Sequence, residues 1–81
     1  MKQNQIYKEA GARIEKMRCK CGYTRKQFAG KVNISEKFLY EIENGKKGKA
    51  DLELMALLEQ VDEADVKKLI ELLKILDERK N

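Results

Sequence analysis

The sequence predicts an all-α domain of five helices, and three observations lead there. The 81-residue chain has no proline, few β-branched residues and many Glu, Lys, Leu and Ala, the side chains that cost least in a helix. Its apolar residues recur at spacings of three and four, the period of a single helix face. That period is interrupted at Gly22, Asn33, Gly45 and Gly48, which divides the chain into helix-length pieces. With 42% hydrophobic residues against 40% charged in 9.4 kDa, the chain can bury one small core beneath a highly charged surface. That balance excludes collagen-like, proline-rich and wholly disordered classes.

In the first helix Ile6, Ala10, Ile14, Met17 and Cys21 form one stripe, ended by Gly22 as the C-terminal cap. Cys21 is expected there as a small core residue. The second helix starts at Thr24, which makes a capping box with Gln27, while Tyr23 and Phe28 hold the N′ and N4 positions of a hydrophobic staple. It runs to about Val32 and buries Phe28, Ala29 and Val32; Asn33 then supplies the left-handed residue of a sharp exit. Ser35 caps the third helix, with Ile34 and Leu39 as its staple. This helix is expected to bury Leu39 and Ile42, to hold Phe38 at the margin, and to face Glu36, Lys37, Tyr40, Glu41 and Asn44 outward until Gly45 ends it.

The fourth helix spans Asp51 to about Val61 and buries Leu52, Met55, Leu58 and Leu54, with Asp51 and Glu53 at its positive end. Asp62 is the expected cap of a fifth, from Asp65 to Arg79. There Val66, Leu69, Leu73 and Leu76 make the seam, and Ile70, Leu72 and Ile75 widen it. Packing on helices 1 and 4 accounts for one face, which leaves Leu72, Ile75 and Leu76 for a second copy of the chain. The domain is thus expected to divide into residues 1–61, helices 1 to 4, and residues 62–81, a helix that packs on them and contributes to a homodimer.

Composition narrows the function. The longest apolar run, Leu54 to Leu58, is far short of the roughly 20 residues of a spanning helix, and the first residues lack the apolar region of a signal peptide. A cytoplasmic protein without membrane contact is the expectation. Cys19 and Cys21 are two residues apart, so on a helix they point to nearly opposite sides and read as free thiols of a reducing compartment. The chain has no histidine, which removes the usual general base, any Ser-His or Cys-His pair, and the ligands of most metal sites. No metal, no cofactor, no small-molecule substrate and no enzymatic activity are expected.

Charge is unevenly spread. Up to Ala50 there are 13 Lys+Arg and 5 Asp+Glu, a charge of +8; the remainder has 5 and 9, a charge of −4. A basic part joined to an acidic one suggests a polyanion on the first and packing or a partner on the second. Phe28, Ala29, Val32, Ile34, Leu39 and Ile42 are the apolar anchors that hold a protruding helix beneath a tight turn, as a DNA-reading pair of helices requires. Thr24, Arg25 and Lys26 gather cations and backbone N–H groups at the start of helix 2, and Lys46, Lys47 and Lys49 form a second basic cluster beyond helix 3.

From about Ile6 to Val61 the chain resembles the helix-turn-helix domains of the lambda repressor and Cro class, the XRE family of bacterial and phage regulators. The resemblance is carried by Arg-Ile-Glu-Lys-Met-Arg at Arg13 to Arg18, by Gly-Tyr-Thr-Arg-Lys-Gln-Phe-Ala at Gly22 to Ala29, and by Ile34 to Lys47 with its Ile-Glu-Asn-Gly-Lys ending. It implies a compact five-helix domain of the lambda repressor-like type, acting as a sequence-specific transcriptional regulator: a dimeric repressor that inserts helix 3, Ser35 to Asn44, into the major groove of double-stranded DNA. It further implies an ion pair of Arg18 with Glu43, and base-reading positions at Glu36, Lys37, Glu41, Tyr40 and Arg25, the last where the family commonly has a glutamine that touches backbone and base. Thr24, Lys26, Asn44, Lys46 and Lys47 fall to phosphate contacts. Asn33 stands in place of the usual turn glycine. The two glutamates on the reading face oppose phosphates unless they accept from cytosine N4, while Lys37 suits guanine O6 or N7. The alternative is a protein-interaction module that uses the acidic helix 3 face and helix 5.

Overall fold

A computed structural model describes residues 3–46 and 51–79. Its helices are α1 (Gln3–Lys20), α2 (Arg25–Val32), α3 (Glu36–Glu43), α4 (Leu52–Glu59) and α5 (Val66–Glu78), with no strand among the described residues. The expected break at Gly48 lies outside them.

Local chemistry sets the ends. Gly22, at φ 81°, follows α1 in the left-handed region that costs glycine nothing. Thr24 Oγ1 accepts from the Gln27 N–H at 3.1 Å, and the Thr24 N–H donates to Gln27 Oε1 at 2.9 Å, so both halves of the capping box are present. Tyr23 packs on Phe28 with ring centroids 5.9 Å apart. Asn33 takes the left-handed conformation at φ 69°, and the Asn33 and Ile34 N–H groups both donate to the Ala29 carbonyl, which closes α2. Ser35 caps α3 by accepting from the Phe38 N–H at 3.0 Å, so only Ile34 lies between the C-cap of α2 and the N-cap of α3.

Several positions differ from expectation. Asp65 caps α5, accepting from the Lys68 N–H at 3.0 Å, whereas Asp62 accepts from Ala64 at 2.8 Å in a turn of its own. Both are short carboxylates before an apolar run, and only the path of the chain decides between them. In α1 the buried stripe is Tyr7, Ala10, Ile14 and Met17; Ile6 is half-buried, and Cys21 is exposed because it follows the last helical residue. Phe38 lies in the core at 3% exposure, on a side of α3 that periodicity had put at the edge.

α1 packs on α4 and α3, α2 on α3, and α5 on α4 and α2. The α5 seat therefore includes the back of α2 in addition to α4, and it consumes Leu69, Leu72, Leu73 and Leu76. Leu72 at 5% and Leu76 at 1% exposure are core residues of the single chain, which corrects their expected availability to a partner; Ile75 alone of the three is half-buried. The Cα radius of gyration, 11.1 Å, is close to the roughly 12 Å of a folded domain this long, as expected with α5 folded back. Arg13 Nη1 donates to the Val61 carbonyl at 2.9 Å and Arg79 pairs with Asp51 at 3.0 Å; these contacts tie α1 and α5 to the two ends of α4.

The crossing of α1 over the end of α3 depends on Gly11. A Cβ built there would lie 2.3 Å from the Ile42 carbonyl oxygen and 2.6 Å from that of Glu43, so only a residue without a side chain lets α1 cross the end of α3. This residue sits amid good helix formers, where sequence offers no reason to single it out.

Candidate nucleic-acid interface

The α2–turn–α3 unit presents one face of α3 to solvent while the opposite face is locked. Phe38, Leu39 and Ile42 anchor it from below, each at 3% exposure or less. Glu36, Lys37 and Asn44 are exposed, Tyr40 is 41% exposed, and Glu41 is half-buried. Lys37, Tyr40, Glu41 and Asn44 follow spacings of three, one and three, so they share one surface. Glu36 occupies the first turn, where a carboxylate is favoured by the helix dipole whether or not it meets a ligand.

Beneath the far end of α3 lies an ion-pair cluster. The Glu43 carboxylate is fully buried and accepts from Arg18 Nε at 2.7 Å and Nη2 at 3.2 Å, the two-pronged geometry that suits a guanidinium. Arg18 Nη1 donates to the Tyr23 carbonyl at 2.8 Å, so the arginine joins α1, α3 and the start of the turn unit. The hydrogen bond to Glu43 raises the Arg18 pKa despite the opposing effect of burial, which keeps the buried guanidinium charged.

Arg25 completes the cluster from α2: its Nε donates to Glu43 Oε1 at 3.0 Å, and its side chain is 28% exposed. Glu15 also lies 4.0 Å from Arg18, so the two guanidinium groups face two carboxylates, and Arg25 is the more exposed of the two arginines. Its Cζ also lies 5.1 Å from the centroid of the Tyr40 ring, over its face, and Lys46 Nζ lies over the same ring at 5.4 Å. Arg25, Tyr40 and Lys46 are thus brought together from three elements, an assembly that helix periodicity does not reveal because none of the three lies on a shared helix face.

The other expected phosphate residues divide. Lys26 is exposed beside Arg25. Thr24 spends its hydroxyl and its own N–H on the capping box, and Gln27 spends its N–H there, so the backbone donors left for an anion at this end are those of Arg25 and Lys26. Asn44 donates from Nδ2 to the Tyr40 carbonyl at 2.8 Å, a helix-end contact that fixes its exposed side chain. Lys47 lies outside the described residues.

The described residues hold no group of three or more His, Cys, Asp or Glu placed to take a metal ion, and no helix among them is long and apolar enough to cross a membrane. A family model described as a helix-turn-helix domain matches residues 11–79. Neither the curated proteins nor the solved structures contain a match to the chain.

Proposed function

Because this chain belongs to the helix-turn-helix domain family, whose members are DNA-binding regulators, we propose that it is a sequence-specific transcriptional repressor that inserts α3 into the major groove of duplex DNA. The observation that carries this reading is the rigid seating of α3: its lower face is buried, its end is pinned through Glu43 to Arg18, and cations flank its outer face. Arg25, Lys26 and Lys46, with Lys47, take the phosphates that set orientation. Lys37 donates to guanine, and Glu36 and Glu41 accept from cytosine N4, with Tyr40 beside them.

One short helix reads few base pairs, so useful specificity calls for a two-fold dimer on a palindromic site. In this reading residues 1–61 carry the DNA contacts and residues 62–81 support them and contribute the dimer contact, centred on the half-buried Ile75. The protein works in the cytoplasm, without enzymatic activity, cofactor or small-molecule substrate.

The test is titration of isotope-labelled protein with random-sequence duplex at low and physiological salt. Coincident amide shifts at Thr24 to Lys26, Ser35 to Glu41 and Asn44 to Lys46 that recede with salt are expected. A second reading rests on Glu36 and Glu41, which give the outer face of α3 an acidic component: the same scaffold docks a basic protein. Amide shifts absent with DNA, together with co-purification of a basic partner, would favour it.

A further inference from the structure

Tyr40 is the most exposed aromatic residue of the described chain, yet its ring is not open to a base in the usual way, because two cations lie over it. One of them, Arg25, is held twice: its Nε bonds to the buried Glu43 carboxylate and its Cζ lies over the ring. With Nε committed, its two Nη groups are what it can offer to a ligand. Lys46, just beyond α3, has a flexible stem that would otherwise be free to wander.

We infer that Tyr40 is a positioning residue whose ring holds Arg25 and Lys46 as a preformed two-cation clamp for the DNA phosphate backbone, an inference that rests on duplex binding as proposed above. The physical gain is preorganisation. A cation that has already lost its rotamer freedom over a ring loses less when it meets a phosphate, and two cations held by one ring meet one stretch of backbone together. The ring carries no charge, so it adds nothing to counterion release; the two cations do. Arg25 accordingly acts on the backbone, and sequence discrimination is left to Lys37, Glu36 and Glu41.

The arrangement separates affinity from salt dependence. Exposed cation–π contacts correspond to roughly 2- to 5-fold each in an equilibrium constant. Tyr40→Leu, which keeps a helix-forming apolar side chain and every charge, is expected to weaken duplex binding about 5-fold, equally on all sequences, with the salt slope unchanged. Arg25→Gln is expected to weaken it further and to lower the slope by about one unit, and Tyr40→Phe to bind as the parent does. A DNA-free readout accompanies these: ring-current shifts of the Lys46 side-chain methylene protons, present in the parent and in Tyr40→Phe and lost in Tyr40→Leu. A thermal melt of each variant checks folding.

Unchanged affinity of Tyr40→Leu, or no ring-current shift in the parent, overturns the clamp while leaving the DNA-binding reading intact. A loss confined to preferred sites overturns it too, since that places Tyr40 on a base. Failure of the parent chain to bind any duplex overturns both readings.

Discussion

Replacing Gly11 with alanine sets two physical effects of opposite sign against each other. Within a helix, alanine is favoured over glycine by about 1 kcal/mol, so helix propensity predicts a more stable protein. The structure predicts the reverse. The new Cβ would meet the Ile42 oxygen at 2.3 Å, the Glu43 oxygen at 2.6 Å and the Glu43 carbonyl carbon at 2.9 Å. All three are backbone atoms, so no side chain can rotate away; α1 must withdraw from the end of α3 by about 1 Å to restore ordinary contact near 3.5 Å. The same boundary carries the Arg18–Glu43 pair at 2.7 Å, which would be stretched by that movement. Overpacking typically costs about 1–3 kcal/mol, and this contact, rigid on both sides and coupled to a buried ion pair, belongs at or above the upper end. After the propensity gain, a net loss of about 2 kcal/mol remains, and for a domain of this size the melting temperature falls by about 8–16 °C. Thermal unfolding of the two proteins by far-ultraviolet circular dichroism, at matched concentration, measures it. A melting temperature equal to or above the parent's would refute the reasoning and mean that the helices can separate at little cost.

Four further outcomes follow from the same geometry. Glu43→Gln removes the buried counter-charge of Arg18, leaving only the exposed Glu15 at 4.0 Å, and releases Arg25; a loss of about 3–5 kcal/mol is expected by urea titration, and a loss below 1 kcal/mol would show that solvent reaches the pair. Leu76→Ala removes a side chain at 1% exposure and is expected to cost about 2–5 kcal/mol regardless of protein concentration. A loss that vanished on dilution would assign Leu76 to a subunit interface instead. For pH, the hydrogen bond from Lys16, then that from Lys20, holds Glu63 below the usual carboxylate range, and Arg79 does the same for Asp51. Both contribute stability above the unfolded-state pKa that is lost as pH falls through the lower folded-state value, so acid unfolding should become less steep in Glu63→Gln and at high salt. An unaltered pH profile in that variant would count against the pairing. Lys37→Ala should relax site preference by about 1–3 kcal/mol in competition assays, whereas Lys46→Ala should weaken all duplexes alike; equal behaviour of the two would remove the distinction between reading and positioning.

The α2–α3 turn shows how far local chemistry reaches. Thr24 with Gln27, Asn33 and Ser35 interact with backbone groups within four residues, so the residue types are enough to locate the starts of α2 and α3 and the turn between them. The faces of α2 and α3 were legible for a related reason: the spacing of Phe28, Ala29, Val32, Leu39 and Ile42 leaves one apolar side to bury, and all five are buried. The outward positions of Glu36, Lys37, Tyr40 and Asn44 follow from the same periodicity. The five-helix, all-α class required only propensity and punctuation.

What periodicity could not settle lies where separate elements meet. Tyr7 rather than Ile6 enters the core, Phe38 moves inside, and Leu72 and Leu76 serve α5 packing within one chain, because each outcome depends on which neighbour covers the position. The meeting of Arg25 with Glu43, and of Arg25 and Lys46 with Tyr40, joins residues whose spacing in the chain carries no signal. Gly11 is the plainest case: as a residue in a helix it is a defect of about 1 kcal/mol, and it becomes a requirement only once α3 is laid across it. Capping and amphipathicity act over one or two turns and are written in neighbouring residues, whereas close packing is a condition on pairs of surfaces that come to exist only when the chain has folded.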